Sequence, residues 1–403
     1  MDVLIVGDGE EERAWADWLS GRPEYEVIAT VLPRVEGSAP GPGSLSDLNE
    51  GLAIAGLELA IIGGPVESRG EVLRRAAAEG LAIICLHPPG DDSESYYQVA
   101  LSRAETGAVI VPDLPLRRHP GVERLRRMLS AGELGEFRGL RLEVNTPPGE
   151  RLATRVFPTM IDVIRSLLGT IDSLIASGDP PGSDPDQELV VQLRDATHRR
   201  AEVRLVAGPP GPTRLTLSGS LRSVTLELGA GLCGPSSLIH RDACPGMDSA
   251  EHLGPWDPKE AIGTALREAM NEGPGVERGS TGLGPSLLDG TRAMELSEAV
   301  VRSLRKGRTI DLHYEEISEE AVFKSIMTST GCMLLLSLLL VLPVSLAGPA
   351  IGLPGTIYLA YAILPALVLF ALFQFVRLGI RTGSHDDRRR TQERPRTSQA
   401  SRM

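Results

Sequence analysis

Residues 1–13, which read MDVLIVGDGEEER, decide the fold of the first half of this chain. An apolar run at Asp2–Gly7 breaks at a glycine turn and passes into a segment rich in acidic residues. Because no basic residues precede the short run, it predicts a buried parallel strand and not a secretory signal peptide. We expect the strand to be followed by a turn at Gly7 and Gly9 and by a helix over Glu10–Leu19.

The same strand–helix alternation continues to about residue 117. Strands separated by helices at this spacing predict a parallel sheet with right-handed crossovers. We therefore expect an α/β, Rossmann-like doubly wound domain over residues 1–117. Its further strands are predicted at Tyr25–Leu32, Leu57–Gly63, Leu81–Leu86 and Ala108–Pro112.

From residue 118 the hydrophobic period changes to strict alternation. A helix is predicted at Met160–Gly169, and alternating segments lie on both sides of it. This pattern predicts an α+β domain over residues 118–312 with an open antiparallel sheet. The alternating segments are Phe137–Val144, Leu189–Arg194, Ala201–Val206, Thr213–Ser218 and Ser223–Leu228.

Composition excludes several classes of protein. The 403 residues carry a formal net charge of −12, which argues against nucleic acid as a partner. Four cysteines are too few for a disulfide framework. Lysine occurs only at positions 259, 306 and 324, so the sequence offers no lysine to a mechanism that needs one within residues 1–258.

The end of the chain predicts a membrane anchor. Residues 331–376 contain no charged side chain, whereas residues 377–403 hold eight arginines and three acids. Two apolar stretches long enough to span a bilayer, Gly331–Ala350 and Ile357–Val376, predict a transmembrane helical hairpin. It would lie between an acidic juxtamembrane segment (313–330) and a basic disordered tail (377–403). The positive-inside rule then places the tail and residues 1–330 on the cytoplasmic side of the inner membrane.

Four stretches together resemble the Gfo/Idh/MocA family, the glucose–fructose oxidoreductases and inositol dehydrogenases. They are the strand–turn–helix at Val3–Arg13, the segment LELAIIGGP with the later GLAIICLHPPG, the bridge at Pro115–Glu143, and the closing helix at Leu287–Leu312. The resemblance covers about residues 1–312. It implies a Rossmann domain, a second domain with an open antiparallel sheet, and an NAD(P)-linked ancestor. It also implies a sugar-like or cyclitol ligand in the cleft and a homo-oligomer formed through the open sheet.

The family's phosphate-binding turn is altered in this sequence. Gly7 and Gly9 match the first two glycines, but Glu12 stands at the third position. A helix start binds a pyrophosphate through its N–H groups and positive dipole, and a carboxylate within about 4 Å would cost roughly 1–4 kcal/mol. Glu10 and Glu11 add charge to the same turn, so we expect weak or absent dinucleotide binding.

The remaining cofactor-binding candidates follow the second and third strands. Arg34 follows the second strand in place of an acid, which favours NADP over NAD if a cofactor binds. Gly63 and Pro65 end the third strand, where the resemblance places cofactor contacts. The cofactor prediction is therefore none or NADP.

The family's catalytic positions hold other residues. His87 replaces the lysine of the Glu-Lys-Pro segment, Arg155 stands at the aspartate position, and Thr159 stands at the histidine position. Arginine and threonine are poor proton acceptors near pH 7, which leaves His87 as the candidate acid–base group and a candidate cofactor contact. Asp162, on the helix that faces the cleft, is a second candidate catalytic residue.

No metal site is predicted. Cys233, His240, Cys244 and His252 fall in a region expected to be a loop, and their spacing matches no standard zinc pattern. The sequence leaves three functions open: a degenerate ligand-binding or scaffold protein, an active NAD(P)-dependent oxidoreductase with relocated catalytic residues, and a structural partner of another membrane protein held by the hairpin and the acidic segment 315–320.

Overall fold

The computed structural model describes residues 1–31, 44–45, 47–179, 187–229, 232, 234–242, 248–272 and 284–312. All of them belong to the unit Met1–His313. Within these ranges no helix is both long and apolar enough to cross a membrane. The predicted hairpin, with the segments on either side of it, lies outside the described residues.

The first sheet contains six parallel strands in the order β3-β2-β1-β4-β5-β6, which confirms the predicted doubly wound arrangement. The strands are β1 (Asp2–Val6), β2 (Glu26–Val31), β3 (Ser44–Leu45), β4 (Leu57–Ile62), β5 (Ala82–Cys85) and β6 (Val109–Pro112). The helices between them are α1 (Glu10–Ser20), α2 (Leu48–Leu52), α3 (Val66–Ala78) and α4 (Glu94–Thr106).

Both faces of this sheet are covered, which explains why its strands are continuous apolar runs. On one face Trp15 of α1 packs with Ile262 of α7 (Pro258–Glu272) in a single cluster. On the other face Met294 of α8 (Leu287–Lys306) joins the cluster formed around α3 and α4. Two helices from the second half of the chain therefore complete the core of the first half.

The second sheet has nine strands in the order β14-β13-β12-β11-β7-β10-β9-β8-β15. Its strands are β7 (Phe137–Thr146), β8 (Ile171–Gly178), β9 (Glu188–Asp195), β10 (Arg200–Ala207), β11 (Thr213–Gly219), β12 (Arg222–Leu228), β13 (Ser236–Asp242), β14 (Ser249–Leu253) and β15 (Ile310–Asp311).

The prediction of a purely antiparallel sheet was wrong, because β10 pairs with β7 in parallel. The chain leaves β7, passes through a helix and the β8–β9 hairpin, and returns beside β7 in the same direction. The predicted loop around His240 and His252 was also wrong, since these residues lie on β13 and β14. These outer strands mix polar and apolar residues with little buried surface, so their alternation is too weak to predict a strand.

One face of the second sheet is covered and the other is open. Its covered face packs with α5 (Pro120–Ser130), α6 (Phe157–Leu168) and α8 in the largest apolar cluster. A π-helical turn, Leu152–Val156, leads directly into α6. The open face is a shallow concavity of about 910 Å³ lined largely by charged and hydroxyl side chains.

Candidate functional site

The candidate site lies where β1, β4 and β5 end. Parallel strands bring their carboxyl ends to one edge of a sheet, and ligands of doubly wound folds bind there. Gly7 follows β1, Gly63 follows β4 and His87 lies just beyond β5. The strand pairing that joins Val6 to Ile62 therefore brings the predicted glycines of two separate turns together.

The glycine turn after β1 has the geometry expected of it. Gly7 has φ of 112°, a conformation that favours glycine, and its N–H donates to the Val31 carbonyl at 2.9 Å. Gly9 is the N-cap of α1 and provides no side-chain cap. Gly63 donates its N–H to the Val6 carbonyl at 2.9 Å, which ties the turn after β4 to the end of β1.

Glu12 fills the space between these turns. Its side chain is buried, and its Oε1 accepts a hydrogen bond from the Gly64 N–H at 2.6 Å. A Cβ added to Gly63 or Gly9 would collide with the Glu12 carboxylate, and a Cβ on Gly7 would lie 2.7 Å from its Oε1. The three glycines thus form a cradle around a carboxylate of the same chain.

The other two glutamates of the turn point elsewhere. Glu10 is exposed, and Glu11 pairs with Lys259 at 2.5 Å. Of the three glutamates in the first turn of α1, only Glu12 therefore places its carboxylate in the cradle.

Arg69, on α3, supports the cradle and was missed by sequence reasoning. Its Nη2 donates to the Gly64 carbonyl at 2.6 Å, and its Nη1 donates to the carbonyls of Leu86 and Pro88. Burial lowers the pKa of Arg69, whereas the nearby Glu12 charge raises it. Among the described residues its Nε has no hydrogen-bond partner. An arginine in an amphipathic helix is typical of a solvated face, so the sequence carried no signal for this role.

His87 is enclosed by protein. Its Nδ1 lies 3.0 Å from the Tyr96 hydroxyl, with which it shares a hydrogen bond. Burial and the positive charge of Arg69 lower the pKa of His87 to about 3, although the Pro158 carbonyl acts in the opposite direction. Its Nε2 is shielded from solvent and makes no hydrogen bond within the described part of the chain. His87 is therefore neutral at physiological pH and largely enclosed by protein.

The residues at the two other family positions are engaged in local contacts. Arg155, on the π-helical turn, forms ion pairs with Glu67 at 3.0 Å and with Asp91 at 3.1 Å. These contacts connect the second domain to the turns that follow β4 and β5. The Thr159 hydroxyl donates to the Val156 carbonyl at 2.7 Å.

Asp162 belongs to a buried ion-pair cluster. Arg117 donates from Nε to Asp162 at 2.8 Å, and a second bond from its Nη2 makes the contact bidentate. Arg117 also reaches Asp289 at 2.8 Å, and Arg165 lies 3.3 Å from Asp289. Burial alone would raise the pKa of Asp289, yet the charges of Arg117 and Arg165 lower it. The cluster joins the bridge after β6 to α6 and α8.

Of the remaining predicted site residues, Pro65 lies within the described part of the chain. Pro65 is the N-cap residue of α3, and its carbonyl accepts from the backbone N–H groups of Ser68 and Arg69. Arg34, Cys233 and Cys244 lie outside the described residues. Among the described residues, no group of three or more histidine, cysteine, aspartate or glutamate residues is arranged to hold a metal ion.

This arrangement does not fit a dinucleotide. The pyrophosphate of such a cofactor would need the glycine turn and the start of α1. The Glu12 carboxylate occupies that cradle and already uses the Gly64 N–H. A carboxylate in the position of a pyrophosphate repels it, so Glu12 opposes the binding of a dinucleotide at this turn.

Comparisons with known proteins agree with the fold. No protein-family model matches the sequence. The chain is 23% identical over 313 residues to an inositol 2-dehydrogenase of Mycolicibacterium gilvum (strain PYR-GCK), across 73% of this chain and 86% of that protein.

Two solved structures share the architecture. One is a proposed myo-inositol dehydrogenase from Sinorhizobium meliloti 1021, with a TM-score of 0.60, 18% identity and coverage of 78% of this chain and 100% of that one. The other is a super-repressor mutant of Gal80p from Saccharomyces cerevisiae, with a TM-score of 0.66, 15% identity and coverage of 78% and 99%. The chain is therefore similar in sequence to an inositol 2-dehydrogenase and shares the oxidoreductase-like fold of these structures.

Proposed function

We propose that this protein is a catalytically degenerate member of its fold group that binds a ligand or serves as a scaffold at a membrane. The proposal depends on the burial and the hydrogen bonding of His87. Alcohol oxidation by hydride transfer needs a base that takes the hydroxyl proton. Among the altered catalytic positions, His87 holds the side chain whose ordinary pKa lies near neutrality. It is buried and hydrogen-bonded to Tyr96, and burial lowers its pKa to about 3.

The other altered or candidate catalytic positions support the same conclusion. Arg155 is held in ion pairs with Glu67 and Asp91, and Asp162 neutralises Arg117. Neither Arg155 nor Asp162 is therefore free to act as a base toward a substrate. Binding of a sugar-like ligand is compatible with this arrangement, since binding needs no proton acceptor.

The membrane anchor rests on the sequence of residues 331–376. Two charge-free apolar stretches and a basic tail support a cytoplasmic-side protein attached by a helical hairpin. A cysteine introduced at Gly352 should react with an impermeant thiol reagent added outside the cell, whereas one at Ser384 should not. Labelling at Ser384 from outside would contradict this topology.

The open face of the nine-stranded sheet is our proposed surface for a homo-oligomer. It is a concavity of about 910 Å³, and charged residues of both signs line it. A face with both signs of charge can be complementary to a second copy of itself across a two-fold axis. Analytical ultracentrifugation in detergent would measure this, and a monomer at micromolar concentration would contradict it.

The degenerate function is tested by an assay of nicotinamide coenzyme reduction. Wild type and His87→Ala are compared across sugars, cyclitols and their phosphates with both NAD and NADP. We expect no turnover in either protein. Turnover in the wild type that His87→Ala abolishes would instead establish the alternative, an active NAD(P)-dependent oxidoreductase with a relocated base.

A further inference from the structure

We propose that the Glu12 carboxylate permanently occupies an oxyanion-binding site of this fold. The glycine turns of the first domain then hold an anion from the same chain and need no nucleotide. This inference deepens the proposed function, because it states what fills the former cofactor site and what class of ligand that site would otherwise take. That class is a small oxyanion such as phosphate or pyrophosphate.

The position of Glu12 on α1 explains why its side chain turns inward. Glu12, Trp15 and Leu19 are buried on one face of the helix at spacings of three and four residues. The first of these positions lies at the mouth of the glycine turns, beyond the apolar cluster that holds Trp15 and Leu19. An acid at this position is directed toward the sheet edge by the same periodicity that buries the tryptophan.

The contacts of Glu12 are those that an oxyanion would receive. A backbone N–H, that of Gly64, donates to its Oε1 at 2.6 Å. Gly7, Gly9 and Gly63 leave room for the carboxylate where any side chain would collide with it. Backbone N–H groups and glycines at a helix start are the usual elements of an anion cradle.

Arg69 is a second, independent sign of an anion site. Its residue surface is only 8% exposed, its charge interacts with Glu12, and its Nη2 binds the carbonyl of the same Gly64 whose N–H binds Glu12. Its Nε has no hydrogen-bond partner in the described part of the molecule. A buried cation with a spare donor beside the cradle requires a nearby negative charge, which Glu12 supplies from within the chain.

Removal of the Glu12 side chain should therefore open the cradle. Glu12→Ala keeps a good helix former, leaves the Gly64 N–H without its acceptor and removes the negative charge near Arg69. The loss of one partner from a buried interaction should lower the melting temperature by about 2–6 °C. An oxyanion from solution can then replace the missing carboxylate.

The experiment measures thermal unfolding of the full-length protein in detergent, with and without pyrophosphate at constant ionic strength. Wild type should not respond to the anion. Glu12→Ala should melt lower and should recover about 3 °C at a concentration ten times the dissociation constant. Glu10→Ala is the matched control, because Glu10 is exposed in the same helical turn. It should behave as wild type.

Glu12→Gln is a second variant, which removes the charge but keeps the cradle filled. Its amide oxygen can still accept from Gly64 and its shape still fills the cradle, so we expect no response to the anion. A wild-type protein stabilised by pyrophosphate as strongly as Glu12→Ala would overturn the proposal. So would a folded Glu12→Ala that ignores the anion, or one that fails to fold even when the anion is present.

This readout uses neither coenzyme nor turnover. A missing anion response would therefore refute the role of Glu12 while leaving the proposed loss of hydride transfer untouched. Turnover in the nicotinamide assay would refute the proposed function while the anion response could still be measured.

Discussion

The buried cluster around Asp162 gives the sharpest prediction for stability. The sequence offers Asp162 as a catalytic candidate, whereas its bidentate contact with Arg117 points to a role in joining the two domains. The two readings differ in what Asp162→Asn should do. A catalytic aspartate can be replaced with little loss of stability, but one partner of a buried ion pair cannot.

The magnitude follows from the charge balance of the cluster. Two arginines, Arg117 and Arg165, face two acids, Asp162 and Asp289, and all four side chains are at most 11% exposed. Asp162→Asn preserves the shape and leaves one net positive charge in this buried site. Such an unbalanced charge costs about 3–5 kcal/mol, which is a large part of a typical stability of about 5–15 kcal/mol. The melting temperature should fall by about 6–20 °C.

The assay is urea and thermal unfolding of the full-length protein in detergent at pH 7. Glu71→Gln is the matched control, since it removes an exposed partner of Arg74 on α3 and should cost less than about 1 kcal/mol. If Asp162→Asn unfolds within about 0.5 kcal/mol of the wild type, the ion-pair argument is refuted. Asp162 would then again be a candidate catalytic residue.

Three further predictions follow from the same structure. His87 and His119, the buried N-cap residue of α5, should each lower the free energy of unfolding by about 2 kcal/mol as the pH falls from 7.5 to 5. Burial lowers their folded pKa values to about 3 and about 4, so the unfolded chain takes up the protons first; a pH dependence that His87→Phe leaves unchanged would contradict this. The protein should stay in the membrane pellet after an alkaline carbonate wash, and deletion of Gly331–Met403 should release it; full-length protein in the supernatant would refute the anchor. Gly63→Ala should destabilise the wild type by about 1–3 kcal/mol but cost much less in Glu12→Ala, because the added Cβ collides with the Glu12 side chain; additive effects in a double-mutant cycle would be evidence against the filled cradle.

Local hydrophobic patterns determined much of this fold. The apolar runs of β1, β4 and β5 are buried along most of their length, so each one is visible in the sequence without knowledge of its neighbours. The glycine turn at Gly7 was predictable for the same reason, since a left-handed conformation is a local requirement. The second sheet was predicted less completely, because the partner of each strand depends on long-range pairing and β7 finds a parallel neighbour only after an excursion of the chain.

The tertiary structure determined which partners the residues of the candidate site contact. The sequence placed three glutamates at the start of α1, but only packing against the turn after β4 separates Glu12, which fills the cradle, from Glu11, which pairs with Lys259. The first 258 residues contain no lysine, yet the fold brings Lys259 beside the first helix. Likewise, Asp162 meets Arg117 across 45 residues of chain. Periodicity encodes which face of a helix is buried, whereas the partner that a buried charge meets is set by how distant elements pack, and that information is not local to the sequence.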